Sequence, residues 1–257
     1  MSDKRQLTVE LTSEDGFTLP AYVALPDGRP RGAIVVLQEI FGVNSHIRNV
    51  ADGYAAAGYL AVAPATFHRV KAGVELGYTG EDMGAGMALK AAVEAMASPG
   101  GSAVTPLVMQ DIAAAVKYAS VAANMSTQDT LAMGGQGSKV GVVGYCWGGL
   151  LTWRAACMLA GVSAAVPYYG GGMTVGDEPA RQPKCPVLCH FGDQDQHITV
   201  PTVLAFKAAH QAAPRAVEVQ IYAADHGFNC DQRGSYNAEA ATLALERTLA
   251  FFRRHVG

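Results

Sequence analysis

The sequence "KVGVVGYCWGGLLTWRAACML", residues 139–159, contains the most informative local pattern of the chain. In it an apolar run leads into a turn with glycines on both sides of Cys146, and a run typical of a helix follows. A strand, a Gly-x-nucleophile-x-Gly turn and a helix form the pattern of a nucleophile elbow, which presents its central side chain to a cleft. The pattern predicts that Cys146 is a nucleophile. The alternative is a buried structural cysteine, because most free cysteines are buried.

The rest of the chain predicts an α/β fold. Two β-prone runs around Asp15-Gly16 predict an N-terminal antiparallel hairpin. Short apolar runs then alternate with helical patterns, which indicates a mostly parallel central sheet flanked by helices. The predicted strands are 7–11, 17–24, 32–38, 59–64, 139–144, 163–169, 186–191 and 217–222. Besides the helix after Cys146, the predicted helices are 44–57, one starting at Thr105, and 235–255.

The organisation of the chain predicts a single domain over residues 1–257, since neither a repeat nor a convincing linker interrupts the pattern. We interpret the glycine-rich stretches 71–86 and 98–103 as excursions over a cleft. In the last helix one apolar stripe is expected to pack on the sheet. Its members are Ala241, Leu245, Leu249 and Phe252.

The composition excludes some classes of binding partner. A net charge of −3 indicates no basic surface of the kind that binds nucleic acid or an anionic membrane. The chain holds no apolar run long enough to span a bilayer, and its N-terminus lacks an apolar signal segment, so we expect a cytoplasmic protein. Its five cysteines show no CxxC pair or zinc spacing, which predicts reduced thiols, no metal and no organic cofactor. We expect a small-molecule partner and a monomer, with a small homo-oligomer as the alternative.

A nucleophile of this kind needs a base and an acid that orients the base, in the chain order nucleophile, acid, histidine. "GDQDQHI" follows the strand at 186–191 and offers Asp195, with Asp193 as the rival acid. "AADHGFNC" follows the last strand and offers His226. His190, inside an apolar strand, and His197 are weaker candidates for the base.

Two further groups are expected near the nucleophile. An oxyanion needs two hydrogen-bond donors, and the backbone N–H of Trp147, at the start of the helix, is one candidate. The other is Ile40, in the loop "EIFGVN" after the strand at 32–38. Glu39 precedes it directly, at a place where a carboxylate is costly unless another group pairs with it.

Four motifs together resemble the dienelactone hydrolase family, also called carboxymethylenebutenolidases, of the α/β-hydrolase superfamily. "QEIFGVN", "GYCWGG", "GDQD" and "DHGF" stand in the family's order, and the resemblance covers nearly the whole chain. It implies an α/β-hydrolase fold and hydrolysis of carboxylic esters or lactones through a thioacyl-enzyme intermediate. The implied roles are Cys146 as nucleophile, His226 as base, Asp195 as acid, Ile40 and Trp147 as oxyanion donors, and Glu39 as a carboxylate that interacts with the resting thiol and helps to form the thiolate.

The substrate site departs from the family. Members that cleave dienelactone resemble one another in two arginines that grip the substrate carboxylate. The position four residues after His226 is Cys230, and residues 72–89 contain no arginine or lysine. Arg69 and Arg233 are candidates to replace them. The candidate substrate-binding residues are Phe41, Arg69, Tyr78, Tyr168 and Tyr169. The sequence therefore predicts a preference for neutral esters and lactones; a thioesterase, a broad carboxylesterase and a non-catalytic ligand-binding relative are the alternatives.

Overall fold

The computed structural model describes residues 6–96, 106–125, 137–213 and 215–257. The chain divides into two compact units, residues 1–140 and 141–257. The expectations for the stretch 98–103 and for Thr105 lie outside the described residues, and the single domain stays a prediction.

The first unit opens with the predicted hairpin. Strands β1 and β2 pair in antiparallel fashion from Gln6↔Ala24 to Thr12↔Thr18. Gly16 allows the tight turn, because it adopts a φ of 83°, where a side chain is disfavoured. The strand order is β1-β2-β4-β3, with β3 and β4 parallel. The elements of this unit are β1 (Gln6–Thr12), β2 (Thr18–Ala24), β3 (Ala33–Leu37), α1 (Ser45–Ala56), β4 (Leu60–Pro64), α2 (Gly80–Glu94) and α3 (Leu107–Met125).

Local signals explain two helices of the first unit. Asn44 caps α1, since its side chain accepts a hydrogen bond from the backbone N–H of Ile47. We expected residues 71–86 to be an excursion, and the structure instead places residues 80–86 in α2. A capping box between Thr79 and Asp82 starts this helix despite its glycines.

In the second unit the strands β6, β7 and β8 pair in parallel. The strand order is β5-β6-β7-β8, with β6 parallel to β7 and β7 parallel to β8. The elements are β5 (Val140–Tyr145), α4 (Trp147–Met158), β6 (Val162–Tyr168), β7 (Val187–Gly192), α5 (Val200–Ala209), β8 (Val217–Tyr222) and α6 (Ala238–His255). The α/β class, the mostly parallel strands and the N-terminal hairpin are thus confirmed.

The predicted stripe of α6 is correct in part. Ala241 and Phe252 are buried as predicted, whereas Leu245 is exposed, and Thr248 and Phe251 are fully buried. A hydroxyl, and not Leu245, therefore lies on the buried face of the helix. Thr248 acquires hydrogen-bond partners there, as a buried hydroxyl requires.

Candidate active site

The elbow has the strained geometry that its sequence predicts. Cys146 lies between β5 and α4 with φ 53° and ψ −114°. Only Cys146 and Tyr169 have positive φ among the non-glycine residues in the described ranges. A Cβ on Gly144 would lie 2.2 Å from the carbonyl oxygen of Gly148, so this glycine is needed for close approach. Strain of this kind is concentrated at functional sites because it holds a side chain in one direction.

A turn after β6 holds the backbone of Cys146. We call Tyr168–Gly171 the support turn. The N–H of Cys146 donates to the carbonyl oxygen of Tyr168 at 3.1 Å, and the N–H of Gly171 donates to the carbonyl oxygen of Cys146 at 3.2 Å. A Cβ on Gly149 would lie 2.6 Å from the carbonyl oxygen of Tyr168, so the start of α4 packs directly on this turn. The turn therefore holds both the backbone N–H and the backbone carbonyl oxygen of Cys146.

The predicted acid and base lie together at the ends of the next strands. Asp195 follows β7 and His226 follows β8, and His226 Nδ1 lies 2.7 Å from Asp195 Oδ2. The other oxygen, Oδ1, accepts the backbone N–H groups of His197 and Ile198 at 2.8 and 3.0 Å. Burial raises the pKa of Asp195, but the bonds from His226 and these N–H groups outweigh it and lower the pKa overall. Asp195 is thus a fixed anion aimed at His226.

The charge state of His226 depends on both neighbours. Burial lowers its pKa, while the charge of Cys146 and hydrogen bonds with Asp195 and Cys146 raise it, with a net rise to about 10. The side chain keeps 14% of its surface exposed. His226 therefore bonds Asp195 through Nδ1 and lies close enough to Cys146 for the thiol to affect its pKa.

The weaker candidates have other positions. Asp193 is exposed, and its backbone N–H donates to the carbonyl oxygen of Tyr222. His190 is buried, and burial together with the charge of Arg247 lowers its pKa to about 3. His197 is exposed, with its ring centroid 6.1 Å from that of His226. Of the rival groups, none replaces Asp195 or His226 in this arrangement.

In the first unit, the loop after β3 brings several predicted residues together. Glu39 is 1% exposed, and its neighbours Ile40 and Phe41 are also buried. The carbonyl oxygen of Phe41 accepts the N–H of Leu76 at 2.8 Å, and the Phe41 ring lies edge-on to Tyr78 at 4.6 Å. The loop that carries Glu39 and Ile40 is therefore held against the segment before α2.

Helix α2 also fixes this loop. A Cβ on Gly86 would lie 2.3 Å from the carbonyl oxygen of Ile40. Only glycine allows the helix and the loop to approach this closely. One of the glycines that obscure α2 in the sequence, Gly86, thus has a packing reason.

Arg69 is engaged elsewhere in the first unit. Its guanidinium donates to both oxygens of Asp111 at 2.7 and 2.8 Å and to both oxygens of Asp15 at 2.7 and 3.0 Å. The Arg69 side chain is 5% exposed and that of Asp111 is 1% exposed. Burial lowers the pKa of Arg69, but the two carboxylates raise it above its ordinary value. This geometry favours a structural role over substrate binding.

The remaining candidates lie in the second unit. Tyr168 and Tyr169 are fully buried. Tyr168 Oη lies 2.7 Å from Thr248 Oγ1, and the Tyr169 ring centroid lies 5.1 Å from that of His226. The guanidinium of Arg233 lies over Gly227, next to His226 in the chain. Sequence reasoning missed Thr248, whose only signal is a polar residue among the apolar positions of α6.

Comparisons with known proteins agree with the motifs. A sequence model of the dienelactone hydrolase family matches residues 19–256, and the chain belongs to this family of hydrolases. A carboxymethylenebutenolidase of Pseudomonas putida is 32% identical over 245 residues, covering 95% of this chain and 94% of that protein. A protein of Methylorubrum extorquens that is provisionally named a carboxymethylenebutenolidase is 34% identical over 259 residues. The match covers 96% of this chain and 80% of that protein.

A solved structure supports the fold. The crystal structure of a Klebsiella pneumoniae protein, provisionally named a dienelactone hydrolase, has a TM-score of 0.75 and 30% identity, and the match covers 97% of this chain and 99% of that one. The α/β-hydrolase fold predicted from the motifs is therefore confirmed. Among the described residues, no helix combines the length and the apolar character that crossing a membrane requires.

Proposed function

We propose that the chain hydrolyses carboxylic esters or lactones through a thioacyl-enzyme intermediate. The imidazole of His226 takes the proton of the Cys146 thiol, and the thiolate attacks the carbonyl carbon. The imidazolium then protonates the leaving alkoxide oxygen as the ester bond breaks. In the second half, His226 takes a proton from water, the water oxygen attacks the thioester, and the thiolate leaves. Asp195 holds the imidazole in one orientation and balances its positive charge.

The observation that carries this proposal is that His226, bonded to Asp195, lies near the thiol of Cys146. The cysteine stands at a strained elbow with φ 53°, and the bond of 2.7 Å between His226 Nδ1 and Asp195 Oδ2 orients the base. Membership of a hydrolase family supports the same chemistry. A structural cysteine needs neither the strain nor a histidine with its own carboxylate.

We infer that two backbone N–H groups stabilise the oxyanion of each tetrahedral intermediate. Trp147 is the first residue of α4, where the N–H groups have no acceptor within the helix. Ile40 is the second donor, and its loop is held rigid by Gly86 and Leu76. Glu39, buried in the same loop, is proposed to interact with the resting thiol and to assist thiolate formation.

The first experiment tests the nucleophile. Cys146→Ala is expected to lower kcat/KM for p-nitrophenyl acetate by more than about 1,000-fold, because the covalent route is lost. The matched control is Cys157→Ala, which removes a half-buried thiol of α4 outside the elbow and is expected to keep activity. Mass spectrometry after limited treatment with iodoacetamide is expected to find the label on Cys146. Full activity of Cys146→Ala contradicts the proposed function.

The substrate is proposed to be a neutral ester or lactone. A carboxylate in a partly desolvated cleft needs a cationic partner, since an unpaired buried charge costs several kcal/mol and about 1.4 kcal/mol is tenfold in affinity. Cys230 stands where the family has one arginine, and Arg69 is already bound to two carboxylates. The measurement is kcat/KM for cis-dienelactone beside p-nitrophenyl acetate, a neutral lactone and an aryl thioester. A dienelactone preference of about 100-fold or more contradicts this assignment, and a thioester preference would make the protein a thioesterase.

We further propose that the protein acts as a cytoplasmic monomer. A catalytic thiol such as Cys146 requires a compartment that keeps it reduced. Cell fractionation and size-exclusion chromatography test the two statements separately. Elution at twice the mass of 26.8 kDa would replace the monomer with a dimer.

A further inference from the structure

The support turn contacts both the proposed nucleophile and the proposed base. Its backbone brackets Cys146 through the bonds at Tyr168 and Gly171. From this turn the ring of Tyr169 reaches the base and lies edge-on to His226 at 5.1 Å. Tyr169 has φ 36°, an unfavourable conformation for a residue with a side chain, so the surrounding structure must hold it.

A buried set of polar side chains lies behind this turn. The N–H of Tyr169 donates to the carbonyl oxygen of His190 at 2.7 Å. The ring of His190 bonds Thr248 Oγ1 through Nε2 at 3.0 Å, and Thr248 Oγ1 lies 2.7 Å from Tyr168 Oη. The hydroxyl of Thr248, on α6, therefore contacts the side chains of both Tyr168 and His190. Tyr168 belongs to the turn, and His190 holds the turn through its backbone carbonyl oxygen.

The far end of this set is formed by Tyr222 and Arg247. The Tyr222 hydroxyl lies 2.7 Å from His190 Nδ1, and the Arg247 guanidinium lies over the Tyr222 ring, 5.4 Å from its centroid. His190 is neutral because burial, with the charge of Arg247, lowers its pKa. Its ring therefore has one N–H donor and one acceptor, and the hydroxyls of Tyr222 and Thr248 satisfy both.

We propose that Thr248 is a positioning residue, which fixes the support turn through Tyr168 and His190 and so sets Cys146 and His226 relative to one another. The proposal rests on the proposed function of Cys146 and His226. The described contacts place none of these buried polar side chains against a reacting atom; they are Arg247, Tyr222, His190 and Thr248. Their effect on the reaction passes through the turn.

The test replaces the hydroxyl of Thr248 and keeps its shape. Thr248→Val removes the partner of both Tyr168 Oη and His190 Nε2. It is expected to lower kcat by about 10-fold through small misplacement of the reacting groups, with KM within about twofold. The rate of Cys146 alkylation by iodoacetamide is expected to fall as well, because this reaction needs no substrate binding. Thr248→Ser keeps the hydroxyl and is expected to restore both rates.

A control separates positioning from general loss of stability. Phe206→Leu removes a buried ring that packs on Trp153 and His210, at centroid distances of 5.0 and 4.5 Å. This variant is expected to unfold more easily and to keep the wild-type kcat at a temperature well below its Tm. Unchanged kcat and alkylation in Thr248→Val, or an equal loss of kcat in Phe206→Leu, would overturn the proposal.

Two further comparisons keep the outcomes distinct. If Thr248→Val does not fold, Tyr169→Leu takes its place. The kcat of Tyr169→Leu is expected to be lower than that of Tyr169→Phe, which keeps the ring against His226. If Cys146→Ala is inactive while these variants equal their controls, the positioning role of Thr248 fails and the proposed function stands. If Cys146→Ala is fully active, both fail.

Discussion

Replacement of Arg69 by glutamine decides whether this residue is structural or binds substrate. In the structure the Arg69 guanidinium donates to Asp111, which is buried, and to Asp15, which is partly exposed. Glutamine keeps part of the hydrogen bonding but removes the positive charge. Asp111 would then be a buried carboxylate without a counter-charge, for which only the hydroxyl of Ser13 remains as a donor among the bonds described.

The size of the effect follows from the unequal exposure of the two carboxylates. Asp15 has a side chain that is 32% exposed, so its share of the interaction is largely screened and contributes about 0–1 kcal/mol. Asp111, at 1%, is not screened by solvent. Removing one partner of such a buried pair costs about 3–5 kcal/mol. We expect Arg69→Gln to lower the free energy of unfolding by about that amount.

The assay is urea denaturation combined with steady-state kinetics. Where the variant is folded, KM for neutral and carboxylated esters is expected to match the wild type. The hydrogen bond from Arg69 lowers the pKa of Asp15, and this outweighs the opposing effect of burial. The stabilisation is therefore present above the ordinary pKa of Asp15 and is lost as the pH falls through the lowered value. A rise in KM confined to carboxylated substrates, with no loss of stability, would refute the structural role.

Four other changes test separate features. Asp195→Asn is expected to lower kcat by at least about 100-fold, because the amide no longer supports the charged imidazole; activity within about threefold of wild type contradicts this role. Gly144→Ala places a Cβ 2.2 Å from the Gly148 oxygen, and it is expected to cost about 1–3 kcal/mol in urea denaturation, an unaltered midpoint being the opposing result. The pKa of His226 is raised from 6.5 to about 10, so protonated His226 stabilises the fold fully below pH 6.5, and this stabilisation is lost as the pH rises through 10. The difference in free energy of unfolding between wild type and His226→Gln should therefore shrink over this range. A constant difference argues against the assignment. Glu39→Gln is expected to alter the pH dependence of Cys146 alkylation with Tm unchanged, and superimposable profiles would remove Glu39 from the proposal.

The strands were predictable because their burial leaves a strong signal. β3, β4 and β5 are buried along their whole length, and each was predicted to within about one residue at either end from a continuous apolar run. α1 was predictable from its cap at Asn44 and from Gly58 after its end. α2 was not, since Gly80, Gly84 and Gly86 are poor helix formers, and the packing partner of Gly86, Ile40, is distant in sequence.

The site was predictable where a local motif fixes the geometry. Gly144 and Cys146 define the elbow through neighbours in sequence. The choice between Asp193 and Asp195 was not decided by residue type, because both are carboxylates after the same strand. It depends on the turn in which the N–H groups at 197 and 198 bind one oxygen of Asp195 and leave the other for His226.

Two residues depended on distant partners. The pairing of Arg69 with Asp111 joins positions 42 residues apart, and a search for cationic residues near the motifs made Arg69 a candidate for substrate binding. Thr248 stands on α6 one turn from Leu245, which we expected to be buried, and only the packing of the folded helix decides which of the two is buried.

The other four thiols are buried or half-buried, so the thiol of the proposed nucleophile Cys146 is expected to react first with a reagent in solution. Burial raises the pKa of Cys157 and Cys185 to about 12, and Cys189 and Cys230 are fully buried. At neutral pH a chromophoric disulfide reagent should therefore release one equivalent of chromophore per correctly folded chain. Such a stoichiometric titration would give the concentration of competent sites in any preparation without a known substrate, and a cysteine-free background would not have to be engineered first.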